Sequence, residues 1–323
     1  MKSLLHKIKR AARIIGNLPR RLLGAADVND RQLMLLGRQS CWMLRDKTML
    51  NDLSDAEFRV YSQWGEDGIL EWLIQNITCA ETTFVEFGVE NYTEANTRFL
   101  IENRNWRGLI MDGSESHMRS VRSGPLYWKH DLQAVTAFIT RENINDLLSA
   151  NGCGGDIGLL SIDIDGNDYW ILKAIEAARP SILVVEYNPI LGDTVPVTVP
   201  YDSGFRRFDA HYSGLYFGAS IGAVRHAAEE KGYRFVGTCS NGINAFFVLE
   251  EHFSVLEPKL SNITAYPSRH RDSRDRDGAL SHTAGAQRLK LIEDMPVICI
   301  EDGREARLRD LGPLYSEDWL RGM

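Results

Sequence analysis

Apolar and polar positions follow two rhythms along this chain. Short β-rich runs stand at FVEFG (84–88), GLIMDG (108–113), LYWKHD (126–131), IGLLSIDID (157–165) and SILVVEYN (181–188). Between them lie stretches with helical spacing at about 93–103, 114–121, 133–149 and 168–178, the last stopping before Pro180. Strands that alternate with helices predict βαβ units and a parallel sheet, and runs this apolar fit a sheet covered on both faces. Ahead of the first run, Ile69, Leu70, Leu73 and Ile77 form one apolar stripe, so a helix is expected from about Glu66, with SQWGED as its leading loop. Past residue 219 the pattern changes. A helix at 219–231 leads into two β-rich runs around SNGIN, which signals a hairpin. The expected fold is α/β: a Rossmann-like, mostly parallel sheet with helices on both faces and a late antiparallel hairpin closing one edge.

The two ends of the chain read differently. Residues 1–24 suit a basic amphipathic helix broken near Pro19, with Leu4, Leu5, Ile8, Ala12 and Ile15 at helical spacing. Such a helix can lie on an anionic membrane, or dock on the protein itself. Residues 30–58 look helical and polar. Residues 264–288 are rich in Arg, Asp, Ser, His and Gly and are expected as an exposed loop, followed by a strand-like MPVICIED at 295–302. These features divide the chain at 1–58, 59–255 and 256–323, with the Rossmann-like unit in the middle.

Composition narrows the function classes. The formal net charge is -7, which does not favour nucleic acid as a partner. Residues 1–26 hold seven Lys/Arg and no acid, so the remaining 30 basic residues face 44 acidic ones. The five cysteines are scattered without CxxC spacing, which points to reduced thiols in a cytoplasmic protein rather than a disulfide framework or zinc site. No apolar run approaches the roughly 20 residues that cross a bilayer.

Candidate chemistry gathers at the strand ends. In an open α/β sheet, ligands bind beyond the carboxyl ends of the strands. Glu86 and Gly88 end the first run, Asp112 the second, Asp131 the third, Asp163 and Asp165 the fourth, and Glu186 with Asn188 the fifth. Any one of these acids can simply cap the next helix. All of them on one rim concentrate like charge, which calls for a cation or hydrogen-bond donors. Gly88 lets the backbone turn beneath a ligand. Asp112 is placed to accept hydroxyl hydrogen bonds from a ribose, and Asp131 to meet an adenine. The first loop, GVENYTEAN, lacks the glycines of GxGxxG that admit a pyrophosphate, and Glu86 and Glu90 repel phosphate. A phosphate-free, positively charged adenosine compound fits better.

This order of segments resembles the class I S-adenosylmethionine-dependent methyltransferases. More narrowly, YSQWGED and IDIDGND resemble the FkbM-like family, which acts on sugars and related natural products; the resemblance covers about residues 60–250. It implies S-adenosylmethionine as cofactor, with Glu86 and Gly88 under its methionine part, Asp112 with the neighbouring Ser114 at the ribose and Asp131 at the adenine. Ser62, Gln63 and Glu66 would form a lid. The acceptor implied is a saccharide, glycan or related small molecule.

Methyl transfer to oxygen needs a base or a metal to take the acceptor's proton. Asp163, Glu186 and Asn188 offer oxygen ligands to Mg²⁺ or another hard cation. The metal-free choice is His211 as general base. Asp165, Gly166, Asn167 and Asp168 suit either a site or the turn and cap of the next helix. The aromatic stretch holding Tyr201, Phe205, Phe208, Tyr212, Tyr216 and Phe217 suits an acceptor pocket for a sugar ring, or a small core of its own. Two further readings stand beside methyl transfer. One is a non-catalytic ligand-binding scaffold of a glycan assembly system. The other is a haloacid-dehalogenase-like phosphatase using Asp163 and Asp165, although Asn167 replaces its usual Thr.

Overall fold

A computed structural model describes residues 29–323, so the amphipathic helix expected at 1–24 lies outside the described residues. Seven strands form the main sheet: β1 (Thr83–Phe87), β2 (Arg107–Asp112), β3 (Leu132–Thr136), β4 (Gly155–Ile162), β5 (Ala178–Glu186), β7 (Tyr233–Thr238) and β8 (Asn244–Leu249). Their spatial order is β3-β2-β1-β4-β5-β8-β7. The first five are parallel, and β8 alone runs against its neighbours β5 and β7. The order reverses between β1 and β4, so a crevice opens above the ends of those two strands.

Both faces of the sheet are covered, as the uniformly apolar strands require. Phe84, Ile110, Leu159, Val184 and Phe246 point into one core with Trp72, while Val85, Leu109, Leu160, Leu183 and Val185 point into the other. A second sheet of three short antiparallel strands stands apart: β6 (Val197–Thr198), β9 (Pro296–Cys299) and β10 (Glu305–Arg307), in the order β10-β9-β6. Its core includes Leu191, Val199, Tyr216 and Leu308. A chain segment from before the hairpin is thereby stitched to one near the C-terminus.

Three expectations need correction. LYWKHD is not a strand. Pro125 occupies the first turn of a short helix, Pro125–Lys129, where a fixed φ and a missing N–H are tolerated, and the third strand is the following LQAVT with Leu132 and Ala134 buried. The helix expected from residue 133 therefore starts only at Ile144 and runs to Ala150. The third correction concerns 264–288. This segment is irregular, but Ser268, Ser273 and Arg288 are buried. The Arg288 guanidinium donates to the carbonyls of Ser268, His270 and Gly285, so polar residues hold the loop onto the body.

Candidate functional site

The crevice above β1, β2, β4 and β5 holds two adjoining cavities. One, of about 310 Å³, lies over the ends of β1, β4 and β5; the other, of about 710 Å³, lies over β2, β3 and β4. Gly88, Glu90, Asp163, Asp165 and Arg207 line both. Gly88 has φ +72°, and a Cβ there would sit 1.6 Å from the Asp163 carbonyl oxygen. No side chain fits where β1 and β4 come this close, so glycine is dictated by the neighbouring backbone.

The acids of the rim divide by the work they do. Glu86 accepts from the amides of Asn96 (2.8 Å) and Thr97 (3.0 Å) and from the Thr97 hydroxyl (2.5 Å), which ties β1 to the start of the helix Arg98–Arg104. Asp168 accepts from the amides of Ile164 (2.8 Å) and Gly166 (2.9 Å) and shapes the IDIDGND turn; Asp165 stands in that turn at φ +56°. Asp112 accepts from the amides of Glu90 (2.9 Å) and Ser114 (2.7 Å), with His117 Nδ1 at 3.4 Å. Since a carboxylate offers about four acceptor positions, Asp112 keeps capacity for a ligand.

Asp163 and Glu186 are the groups least served by the protein. Glu186 is buried and Asp163 half-buried, and Glu186 Oε2 has no partner. Burial is the main cause that pushes both carboxyls well above the usual range, and Asp165 and Asp168 add like charge. Burial also raises Glu86 to about 7 and Asp168 to about 6, against the pull of their hydrogen bonds. Carboxylate oxygens of Asp163, Asp165 and Glu186 lie within 4.8 Å of one another.

Several expected site residues stand elsewhere. Asp131 precedes β3 instead of ending a strand, and it pairs at long range (4.0 Å) with Arg107 on the exposed surface, outside both cavities. Asn188 is fully buried and spent: its side chain donates to the carbonyls of Leu215 and Phe217 (both 2.9 Å) and accepts from the Ile190 amide (3.0 Å). Asp165 offers a third carboxylate oxygen beside Asp163 and Glu186, while Asn188 lines the smaller cavity with its side-chain amide engaged. His211 bonds Ser213 Oγ at 2.7 Å and lines neither cavity. In the expected lid, Ser62 and Glu66 are buried. Ser62 bonds Asp67, Glu66 accepts from Asn244 (3.1 Å) and Trp64 (2.9 Å), and Gln63 alone of the three reaches the smaller cavity. Ser114 caps the helix Glu115–Ser123 and lines the larger cavity beside Asp112. The aromatic stretch splits: Phe205 and Phe208 line the larger cavity, Phe217 the smaller, and Tyr216 joins the core of the small sheet.

The residue that sequence reading missed most plainly is Arg207. Its guanidinium bonds Asp165 at 2.8 Å, Asp272 at 3.3 Å and the Gly214 carbonyl, and lies 3.9 Å from the centre of the Phe217 ring. It is the cation set among these acids, and it joins the IDIDGND turn, the aromatic stretch and the late loop. Phe138, just past β3, was missed because the strand was misplaced. His270 and Asp272, which roof the smaller cavity, were missed because their segment reads as solvated loop.

No protein-family profile matches the chain, and no curated protein matches it. Solved structures do resemble it. One is a S-adenosylmethionine-dependent methyltransferase from Clostridium acetobutylicum ATCC 824 (10% identity, 57% of this chain and 90% of that one, TM-score 0.36). A second is the N-terminal domain of EvdMO1 with SAH bound (15% identity, 52% and 73%, TM-score 0.35). A third is the O-methyltransferase from Bacillus cereus in complex with SAH (13% identity, 51% and 72%, TM-score 0.29). At these identities and TM-scores the likeness says nothing of what this chain binds or does.

Proposed function

We propose that this chain is an S-adenosylmethionine-dependent methyltransferase that acts on an oxygen of a saccharide, glycan or related small molecule. The observation that carries the reading is the pairing of Asp112 with a glycine-poor, acid-bearing first loop at the mouth of a 710 Å³ cavity. Ribose hydroxyls suit Asp112, and Phe138, Phe205 and Phe208 offer apolar walls for a flat ring. Glu90 beside Gly88 opposes phosphate and favours a cationic ligand. The donor set thus fits S-adenosylmethionine and does not fit a nucleotide phosphate. When bound, that cofactor supplies a methyl group activated on a sulfonium.

The chain's own residues then have defined tasks. Burial and neighbouring like charge raise the carboxyls of Asp163 and Glu186, and a carboxylate with a raised pKa is the stronger base toward an acceptor hydroxyl. Arg207 holds Asp165 and roofs the junction of the two cavities. Gln63, Asn96 and Ser268 line the smaller cavity and offer amide and hydroxyl groups to a polyhydroxylated acceptor. A second reading of the same acids has Asp163, Asp165 and Glu186 hold a divalent cation, favoured by their oxygen spacing and by the unpartnered Glu186 Oε2.

Calorimetric titration with S-adenosylmethionine and S-adenosylhomocysteine tests the proposal. Binding is expected for the wild-type chain, with at least a tenfold loss in Asp112→Ala, the order of one buried charge-assisted hydrogen bond. Equal affinity in the variant, or preference for ATP, rejects it. Activity that persists in EDTA removes the cation and leaves the Asp163–Glu186 pair as base.

A further inference from the structure

The helix over residues 29–45, which leads into the Rossmann-like unit, carries two apolar faces where a docked surface helix needs one. The inner face holds Gly37, Cys41 and Leu44 against the body, with Cys41 packed among Val60, Tyr61 and Phe99. A Cβ on Gly37 would come within 2.6 Å of Val60 and 2.8 Å of Phe99. Glycine in a helix interior is destabilising relative to alanine. Here it lets the helix lie close and fixes its rotation.

That rotation turns Leu35, Leu36, Trp42 and Met43 outward, with Met49 just beyond the helix; Leu35 is 67% exposed and Trp42 63%. Leu35 and Trp42, and Leu36 and Met43, form two rows at seven-residue spacing. Arg31, Arg38 and Arg45 form a third row along the same flank. Residues 1–49 hold eleven Lys/Arg against three Asp, in a chain whose net charge is -7.

We infer that this outward face docks on an acidic phospholipid surface, with Leu35, Leu36, Trp42 and Met43 entering the headgroup boundary and the arginine row beside the phosphates. Apolar side chains edged by a basic row, with a tryptophan among them, are what an interfacial helix needs. The excess positive charge of residues 1–26 joins the chain just ahead of this helix and adds attraction to an acidic leaflet. Charge argues against a second copy as the occupant, since a two-fold contact on this face sets arginine row against arginine row. No described helix is long and apolar enough to cross the bilayer, so the contact is peripheral.

The test uses the full chain and vesicles of phosphatidylcholine with or without about 30% phosphatidylglycerol. Co-sedimentation is expected with the acidic vesicles, at least about tenfold above neutral ones, and is expected to weaken in high salt. The double variant Leu35→Glu/Trp42→Glu changes exposed positions, so its melting temperature and circular dichroism are expected to match wild type, while vesicle binding falls about tenfold or more. Undiminished binding by that variant overturns the proposal and leaves the work to residues 1–28. So does a wild-type dimer in light scattering that the variant dissolves, or equal binding to neutral vesicles. S-adenosylmethionine titration of the same variant separates the two readings, since the cleft does not include this helix.

Discussion

The two cavities of the cleft share a wall and differ in kind. The smaller one is floored by carboxyls that the fold has buried or half-buried and only partly satisfied, above all Glu186 and Asp163. The larger one adds Met111, Phe138, Ile139, Phe205 and Phe208 to the shared wall, and its own acids are Asp112, at the end of β2, and Asp209. A buried carboxyl pair is suited to moving protons or holding a cation. Aromatic walls with Asp112 at the strand end are suited to holding a flat, hydroxylated group. Under the proposed function, chemistry falls over β1, β4 and β5 and recognition over β2 and β3.

The severest way to break this division is at the shared wall. Gly88→Ala forces a methyl into the Asp163 carbonyl at positive φ. It is expected to cost about 3 kcal/mol or more in urea denaturation and to abolish cofactor binding in calorimetry, because both cavities lose their common floor.

Asp163→Asn separates the cavities. Methyl transfer is expected to fall by about 10²–10⁴, the range for a lost proton acceptor, with S-adenosylhomocysteine affinity changed far less. Stability should move the other way. Asp163 and Glu186 have raised folded-state values, so their contribution to stability is full below the unfolded carboxyl range near pH 4 and is lost as pH rises through the folded values. Glu86 and Asp168 act in the same sense up to about 7 and about 6. Wild-type melting temperature is therefore expected to decline from pH 4.5 toward pH 8. Asp163→Asn should flatten that decline and melt about 2–4 °C higher at pH 8, read by calorimetry. A steeper decline in the variant contradicts the assignment.

Phe138→Ala sharpens the other half of the comparison. Its ring is partly exposed at the cavity wall, so folding should be little affected, while cofactor affinity falls about five- to tenfold, near 1 kcal/mol for a lost aromatic contact, with no change in pH profile. The smallest effect is expected from His211→Gln. A side chain that bonds Ser213 outside both cavities should leave turnover within about threefold of wild type, where a true base would cost at least about a hundredfold.

The sheet was legible because its strands are apolar on both faces and its turns carry strong signals, SNGIN above all. β3 was not, because LYWKHD has β-rich residues while the Pro125 that makes it helical stands one position outside the run. That one error moved Asp131 into the site and Phe138 out of it. Gly88, Asp112, Asp163 and Glu186 could be found from strand ends alone, since topology decides where they gather. Asn188 and His211 could not be judged that way. A side chain's neighbours decide whether its polar atoms are free, and both are held by residues that sequence does not place near them. Arg207 and Arg288 were hidden for the same reason. Polar residues that bond to distant backbone read, in one dimension, like polar residues that face water.

The late loop held by Arg288 also sets an order of assembly. Every strand of the main sheet is complete by Leu249, yet His270 and Asp272 reach the smaller cavity only when a segment ending past residue 288 has folded back over it. During synthesis the sheet can form while its charged floor still stands open to solvent. The same late segment that brings β9 to β6 then closes the chamber. Roofing of the smaller cavity is thereby tied to residues 268–288, and a fragment that stops near residue 256 should retain a folded sheet with that cavity unroofed.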